Sequence, residues 1–242
     1  MMKQRLRHNC AGLLLLMLCA PLMAAQQLEL TTVANSSDTT ISARVLKKAY
    51  HRLGIDISIL ELPASEALQR SNSGSADGEV QRIDGISRNF PNLIQVPIPI
   101  NYIQGAVFSK KKKRKLRGWH SLRTFKIGLV NGVVFAEKGT RGMQVQMAQS
   151  YAELIELLLN DKVDLIVVPY INGAVAIRQH PQGDKLHLNG ILETYLLYHY
   201  LHKQHEKLLP AITARLKKML LNGSIPDMRR KIVSELTGEP TR

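Results

Sequence analysis

The chain has 242 residues and a formal net charge of +14 at pH 7, from 33 lysines and arginines against 19 acids. Its two cysteines, Cys10 and Cys19, both fall in an apolar leader, so the rest of the chain excludes a disulfide framework, a thiol nucleophile and a cysteine-based metal site. The roughly 217 residues that follow the leader are enough to bury an ordinary core.

Residues 1–25 read as a signal peptide. Lys3, Arg5 and Arg7 give a basic start, Gly12 to Ala20 an apolar run, and Ala24 and Ala25 a cleavage site. The run is far below the ~18 residues of a membrane span. A lipid-anchored form acylated at Cys19 is the rival, weakened by the bulk of Leu18 directly before it. Export to a bacterial periplasm fits the leader best.

Leu28–Ala34 alternates as a first strand, and in the following NSSDTT loop Ser37 or Asp38 can cap a helix. Ile41, Val45, Leu46, Ala49 and Leu53 then share one helical face, which ends at Gly54. Ile55–Leu60 is a second strand. A unit from Ala64 to Val80 follows, with a helix in SEALQRS, a break in NSGSA, and Asp77 opening a strand. The same device returns from Tyr151 to Val168, where AELIELLLNDK leads to Asp164 and the strand LIVV. Two such copies imply two similar α/β lobes and a cleft between them, where small ligands bind.

Between the copies, Pro91, Pro97 and Pro99 forbid helix, and Asn101–Phe108 is a strand. The run Lys110–Arg117 is a charged turn between lobes; export removes its reading as a nucleic-acid patch and leaves an affinity for anionic surfaces. Phe125–Val130 and Met143–Ala148 are strands, with a short helix or coil over Val133–Lys138 between them. Ile171–Gln179 is a helix, Leu186–Leu188 a short strand, and Tyr195–Leu201 a strand that returns the chain to the first lobe. Helices from Pro210 to Leu221 and from Ile225 to Leu236 close it.

Several strings taken together resemble the bacterial extracellular solute-binding proteins of family 3, the periplasmic components of polar amino-acid ABC importers. They are VLKKAYHRLGIDISI, ALQ…ADGEV, FPNLIQVPIPINYIQGAVFSKK, LRTFKIGLVNG, AELIELLLNDKVDLIVV and LNGSIPDMRRKIV. The resemblance implies a two-lobed type II binding-protein fold, each lobe a mostly parallel sheet flanked by helices, joined by two crossing strands and closing by hinge motion. Lobe 1 would comprise 26–109 plus 199–242, and lobe 2 residues 110–198, with crossings near Ala106–Ser109 and Tyr198–Leu201. It also implies a monomer that binds a small polar, carboxylate-bearing ligand for an inner-membrane ABC permease or a sensor, with no cofactor, metal or catalysis.

On the same resemblance, the turn Asn131-Gly132-Val133 would offer free amides to an anionic group. Arg82, or else Arg88, would grip a carboxylate with two prongs. Tyr102 and Tyr170 would pack on the ligand. Two departures stand out: the family's acid after the second echoed strand is replaced by Pro169-Tyr170-Ile171-Asn172, and the first loop lacks its aromatic residue, with Asp38 its sole charge. An ammonium partner is therefore missing, and Asp38, Glu61 or Glu193 are substitutes. A degenerate fold kept as an interaction or regulatory module is the alternative. Enzyme readings find little support: His199, His202 and His205 lie on a strand pattern that scatters them, and no nucleophile elbow occurs.

Overall fold

A computed structural model describes residues 26–34, 36–112 and 115–238; the leader with both cysteines, and Lys113 and Arg114 of the basic run, lie outside them. Lobe 1 begins with β1 (Gln26–Val33), α1 (Ser37–His51), β2 (Ile55–Leu62), α2 (Ala64–Ser73) and β3 (Gly78–Ile83). After a 3-10 turn at Ile86–Arg88, the long strand β4 (Leu93–Ser109) leads into lobe 2. There β5 (Ile127–Val130), α3 (Val134–Gly139), β6 (Val145–Ala148), α4 (Tyr151–Leu159), β7 (Leu165–Pro169) and α5 (Tyr170–Gln179) follow. The second long strand, β8 (His187–His202), returns to lobe 1, where α6 (Leu209–Leu221) and α7 (Ser224–Thr237) close the described chain.

One sheet runs through the molecule in the order β2-β1-β3-β8-β4-β7-β5-β6. In lobe 1, β1 pairs in parallel with β2 and β3, and in lobe 2, β5 pairs in parallel with β6 and β7. These are the parallel strand–helix–strand units that the alternating pattern predicts. The antiparallel pair β4 and β8 crosses between them, registered from Leu93 with His202 to Ser109 with His187. Its register shifts around Pro99 and again at Gly105 and Val107. Proline cannot donate to the ladder, so the irregularities around Pro99 are the local cost of keeping the strand continuous. β3 joins β8 at Gly78 with Leu201 and at Ile83 with Leu197, while β4 joins β7 from Gly105 to Phe108.

The core of lobe 1 lies under α1 and α6: Val45, Leu46 and Ala49 are fully buried at their helical spacing, against Leu28, Leu30, Ile212 and Leu216. Lobe 2 has a core on each face of its sheet, one beneath α4 with Leu154 and Leu158, the other beneath α3 with Ile127 and Leu129. α4 starts with a capping box, in which the Ser150 hydroxyl accepts from the Glu153 amide and the Glu153 carboxylate from the Gln149 amide. A fourth cluster joins the lobes: Ile41 of α1, Ile171 of α5 and Ile232 of α7 are buried together, with Val175, Met228 and Leu236 packed around them.

Three sequence readings change. Prolines 97 and 99 sit inside a 17-residue strand rather than before one. β8 is continuous over 16 residues where two short strands were expected, because β4 supplies a partner along its whole length. α1 starts at Ser37 with Ser36 as its cap residue and no side-chain cap bond, so neither Ser37 nor Asp38 caps it and Asp38 is carried into the first turn. No helix among the described residues is long and apolar enough to cross a membrane.

Candidate functional site

Where α1 begins, β4 crosses and α5 begins, a set of polar side chains is buried between the lobes. Asp38 in the first turn of α1 is 2 % exposed, and its Oδ1 has no partner. Burial raises its carboxyl to about 7, a shift that the Arg229 guanidinium partly opposes. From β4, Asn101 donates its Nδ2 to the Asp38 backbone carbonyl at 3.1 Å and accepts from Arg229 Nε at 3.1 Å. The guanidinium of Arg229, on α7, lies 3.6 Å above the ring centroid of Tyr102, and its Nη2 reaches the Tyr102 carbonyl at 3.5 Å.

Lobe 2 supplies the facing groups. Asn172, in the first turn of α5 and 9 % exposed, donates to the Tyr151 hydroxyl at 3.1 Å, while its own Oδ1 is buried without a partner. Burial raises the Tyr151 hydroxyl, and the Asp38 carboxylate adds to that rise, which places the two lobes' polar groups in one electrostatic neighbourhood. Tyr170 lies within the field of Arg229 and packs against the interlobe cluster. A cavity of about 310 Å³ opens here, lined by Ser37 of lobe 1 and by Tyr151, Asn172, Val175, Gln179 and His180 of lobe 2.

A buried acceptor without a donor is uncommon, and here there are two, one from each lobe. Both can accept hydrogen bonds from a guest that carries N–H or O–H groups. Arg229 adds a positive charge on the lobe 1 side.

The structure therefore brings together Asp38, Tyr102 and Tyr170 of the sequence candidates. Arg82 lies elsewhere: on β3, it holds Glu79 at 2.8 Å and the Ala64 carbonyl at 3.2 Å, on the α2 side of the sheet. Glu79 is fully buried. Arg88 ends the exposed 3-10 turn. The turn at Asn131, Gly132 and Val133 has the left-handed glycine that its sequence implies, at φ +83. Its amides are not free, however: Asn131 donates to the Ala148 carbonyl, Gly132 to the Glu137 carboxylate at 2.7 Å, and Val133 to the Val130 carbonyl. Glu193, one candidate ammonium partner, instead accepts from Trp119 Nε1 at 2.7 Å and from the Tyr195 hydroxyl at 2.5 Å. Glu61, the other, is an exposed residue near the end of β2.

Asn101, Tyr151 and Arg229 escaped the sequence reading. Arg229 left a signal, since Ile225, Met228, Ile232 and Leu236 share its helical face and a cation on an apolar stripe implies a buried partner. Asn101 and Tyr151 gave none, the first a lone polar residue in mid-β4 and the second the opening residue of α4. The three histidines scatter: His199 is buried against the Tyr50 hydroxyl and the Glu79 carbonyl, His202 caps the next turn, and His205 pairs with Asp77.

No family model matches the chain. An uncharacterized protein of Shewanella oneidensis is 28 % identical over 183 residues, covering 72 % of this chain and 69 % of its own. Among solved structures, the Bordetella pertussis BvgS periplasmic VFT2 domain superposes with a TM-score of 0.64 at 16 % identity, covering 87 % of this chain and 93 % of that one. A histidine kinase sensor domain with similarity to periplasmic binding proteins gives 0.64 at 16 %, over 85 % and 95 %. An ancestral arginine-binding protein bound to arginine gives 0.64 at 17 %, over 86 % and 98 %. The chain has the two-lobed α/β fold of periplasmic binding proteins, a fold that serves carriers and sensor domains alike.

Proposed function

We propose that the chain is a periplasmic binding protein that closes over a small polar ligand and presents the closed form to an inner-membrane partner, either an ABC permease or a sensor, without chemistry of its own. The observation that carries this reading is the pair of unpaired buried acceptors, Asp38 Oδ1 and Asn172 Oδ1, contributed by opposite lobes. A ligand that donates to both gains those bonds only when the lobes meet, which gives it the differential affinity that closure requires.

The ligand we infer presents an ammonium, guanidinium or similar donor to Asp38 and Asn172, and a carboxylate to the field of Arg229. The arginine bound by the ancestral protein of the same fold has both groups. Asp38 takes the role of the missing acid from the other lobe. We place the hinge where β4 and β8 pass between the lobes, over 101–104 and 193–197, and take residues 1–25 as the export signal. That puts Ala106–Phe108, paired with β7, on the lobe 2 side of a boundary first drawn at residue 109.

A thermal-shift screen of basic, neutral and acidic amino acids, dicarboxylates and small anions at pH 8 tests the reading. A compound at about 100-fold its Kd stabilises by about 2.7 kcal/mol. Asp38→Ala should remove the shift. No shift with any class sinks the proposal and favours a second reading, an interaction or regulatory module, to which the apolar seam of Ile41, Ile171 and Ile232 gives independent support by holding the lobes together without a guest.

A further inference from the structure

Charge is unevenly placed along the chain. Residues 110–186 hold fourteen lysines and arginines against six acids, whereas residues 26–109 hold seven against eight. The densest part is the connection that follows β4. Lys110 is held there by Asp161 at 2.5 Å and by the Leu159 carbonyl at 3.0 Å. Lys111, Lys112, Lys115, Arg117 and the neighbouring Lys162 are exposed, and none has an acidic partner among the described residues.

This connection has a fixed anchor. The Leu116 side chain is buried, its amide donates to the Asn189 carbonyl at 2.9 Å, and its carbonyl sits so close to Gly190 that a Cβ there would meet it at 1.9 Å. Lys115 and Arg117 therefore project from a held point. On the adjoining end of β8, Leu188 is 45 % exposed, paired with Phe108 directly before the run.

We propose that this end of lobe 2 docks on an anionic lipid bilayer. The cations stand on a connection rather than in a cavity, and the one acid beside them is already held by Lys110. Spread along an exposed connection, such an array forms no pocket around a single acidic side chain. It suits a fluid field of negative headgroups, to which each cation adds. Leu188 supplies an apolar contact at the headgroup boundary. Docking through lobe 2 leaves lobe 1 free to swing, and it would hold the protein close to a membrane-embedded partner.

Vesicle flotation of the full chain tests this, with phosphatidylglycerol–phosphatidylcholine vesicles compared with phosphatidylcholine alone. The leader, whose Lys3, Arg5 and Arg7 add their own attraction to anionic lipid, is common to every variant, so the readout is the change in anionic excess between wild type and variant. We expect about a tenfold excess at low ionic strength, abolished at high salt as screening requires. Reversing Lys111, Lys112, Lys115 and Arg117 to glutamate should remove most of the excess. The same change in net charge at the exposed Lys203, Lys207, Lys217 and Lys218 should leave most of the excess. Equal losses in the two variants would reduce the effect to net charge and overturn the proposal. So would indifference of the wild type to phosphatidylglycerol, or stronger retention on immobilised polyglutamate than on anionic vesicles. Melting curves of both variants check folding, and the ligand screen is a separate readout that fails or succeeds independently.

Discussion

The two lobes share a frame but differ in what they bury. In lobe 1, the Asp77 amide donates to the Glu29 carbonyl at 2.8 Å and its Oδ2 accepts from the Glu29 amide at 2.7 Å. In lobe 2, the Asp164 amide donates to the Lys126 carbonyl at 2.8 Å and its Oδ2 accepts from the Lys126 amide at 2.8 Å. Asp77 ties β3 to the middle of β1, and Asp164 ties β7 to the residue just before β5. Beyond that point β7 is Leu-Ile-Val-Val-Pro, apolar and buried throughout, while β3 is Gly-Glu-Val-Gln-Arg-Ile and buries Glu79 and Gln81. Lobe 2 is held by hydrocarbon, and lobe 1 by hydrocarbon plus a polar network of Glu79, Arg82, Ser71 and Thr31. The same supersecondary device thus tolerates either filling.

The largest effects should come from a closely packed glycine in each lobe. A Cβ on Gly78 would meet the Tyr200 carbonyl oxygen at 2.2 Å, a backbone atom that cannot yield without parting β3 from β8. On Gly128 it would meet the Leu154 methyl at 2.7 Å, which can rotate. We expect Gly78→Ala to lower stability by more than about 3 kcal/mol and Gly128→Ala by about 1–2 kcal/mol, read by urea denaturation. Equal losses would mean that the β3–β8 contact is as pliable as a core side chain.

Next comes the buried carboxylate–guanidinium pair of lobe 1, which has no counterpart among the described residues of lobe 2. Arg82 and Glu79 are both largely buried, so Arg82→Ala strands a carboxylate and should cost about 3 kcal/mol in the apo protein. Burial already raises the Glu79 carboxyl, and Glu79→Gln in the Arg82→Ala background should recover much of the loss. A neutral outcome for Arg82→Ala in apo melting would return Arg82 to the pool of ligand contacts.

Asp38 gives a pH signature. Its folded carboxyl titrates at about 7, above its ordinary 3.8, so the folded protein binds the proton more tightly than the unfolded chain. Apo stability should therefore fall as pH rises from about 4 to about 7, by a few kcal/mol at most, and Asp38→Asn should flatten that slope. Binding of a cationic ligand runs the other way: it needs the ionised form and should weaken about tenfold per unit below pH 7.

The smallest difference separates the echoed aspartates. Asp77 Oδ1 also holds His205 at 2.5 Å and Gln204 at 3.1 Å, contacts that Asp164 lacks among the described residues. Asp77→Ala should therefore cost about 1 kcal/mol more than Asp164→Ala in denaturant melts.

Much of the frame was legible. The echo of helix, polar break and aspartate found both lobes, and alternating helices and strands gave the sheet type. Helix faces were readable from spacing, as Ile41, Val45, Leu46 and Ala49 show. What stayed hidden depended on partners far along the chain. Nothing local says that Gly190 to Thr194 continues a strand, because its ladder is with β4, some 90 residues earlier by the pairing that only the fold creates. The site was legible in part for the same reason. Asp38 and Tyr170 stand in the first turns of α1 and α5 and Tyr102 in mid-β4, but Arg229 arrives on the last helix. Arg82 is engaged for a reason the spacing hides: the register of β3 shifts between Glu79 and Arg82, and the two side chains meet at 2.8 Å although three residues apart on a strand.

The seam of Ile41, Ile171 and Ile232 gives lobe separation a thermal character. Hydrocarbon contact loses its grip as water cools, because its driving force near room temperature is entropic. Parting the lobes wets that seam and so carries a positive heat-capacity change. Chilling, rather than warming, is then the mild treatment that favours the open form, and small-angle scattering recorded down a temperature ramp would show the molecule lengthening toward the cold end.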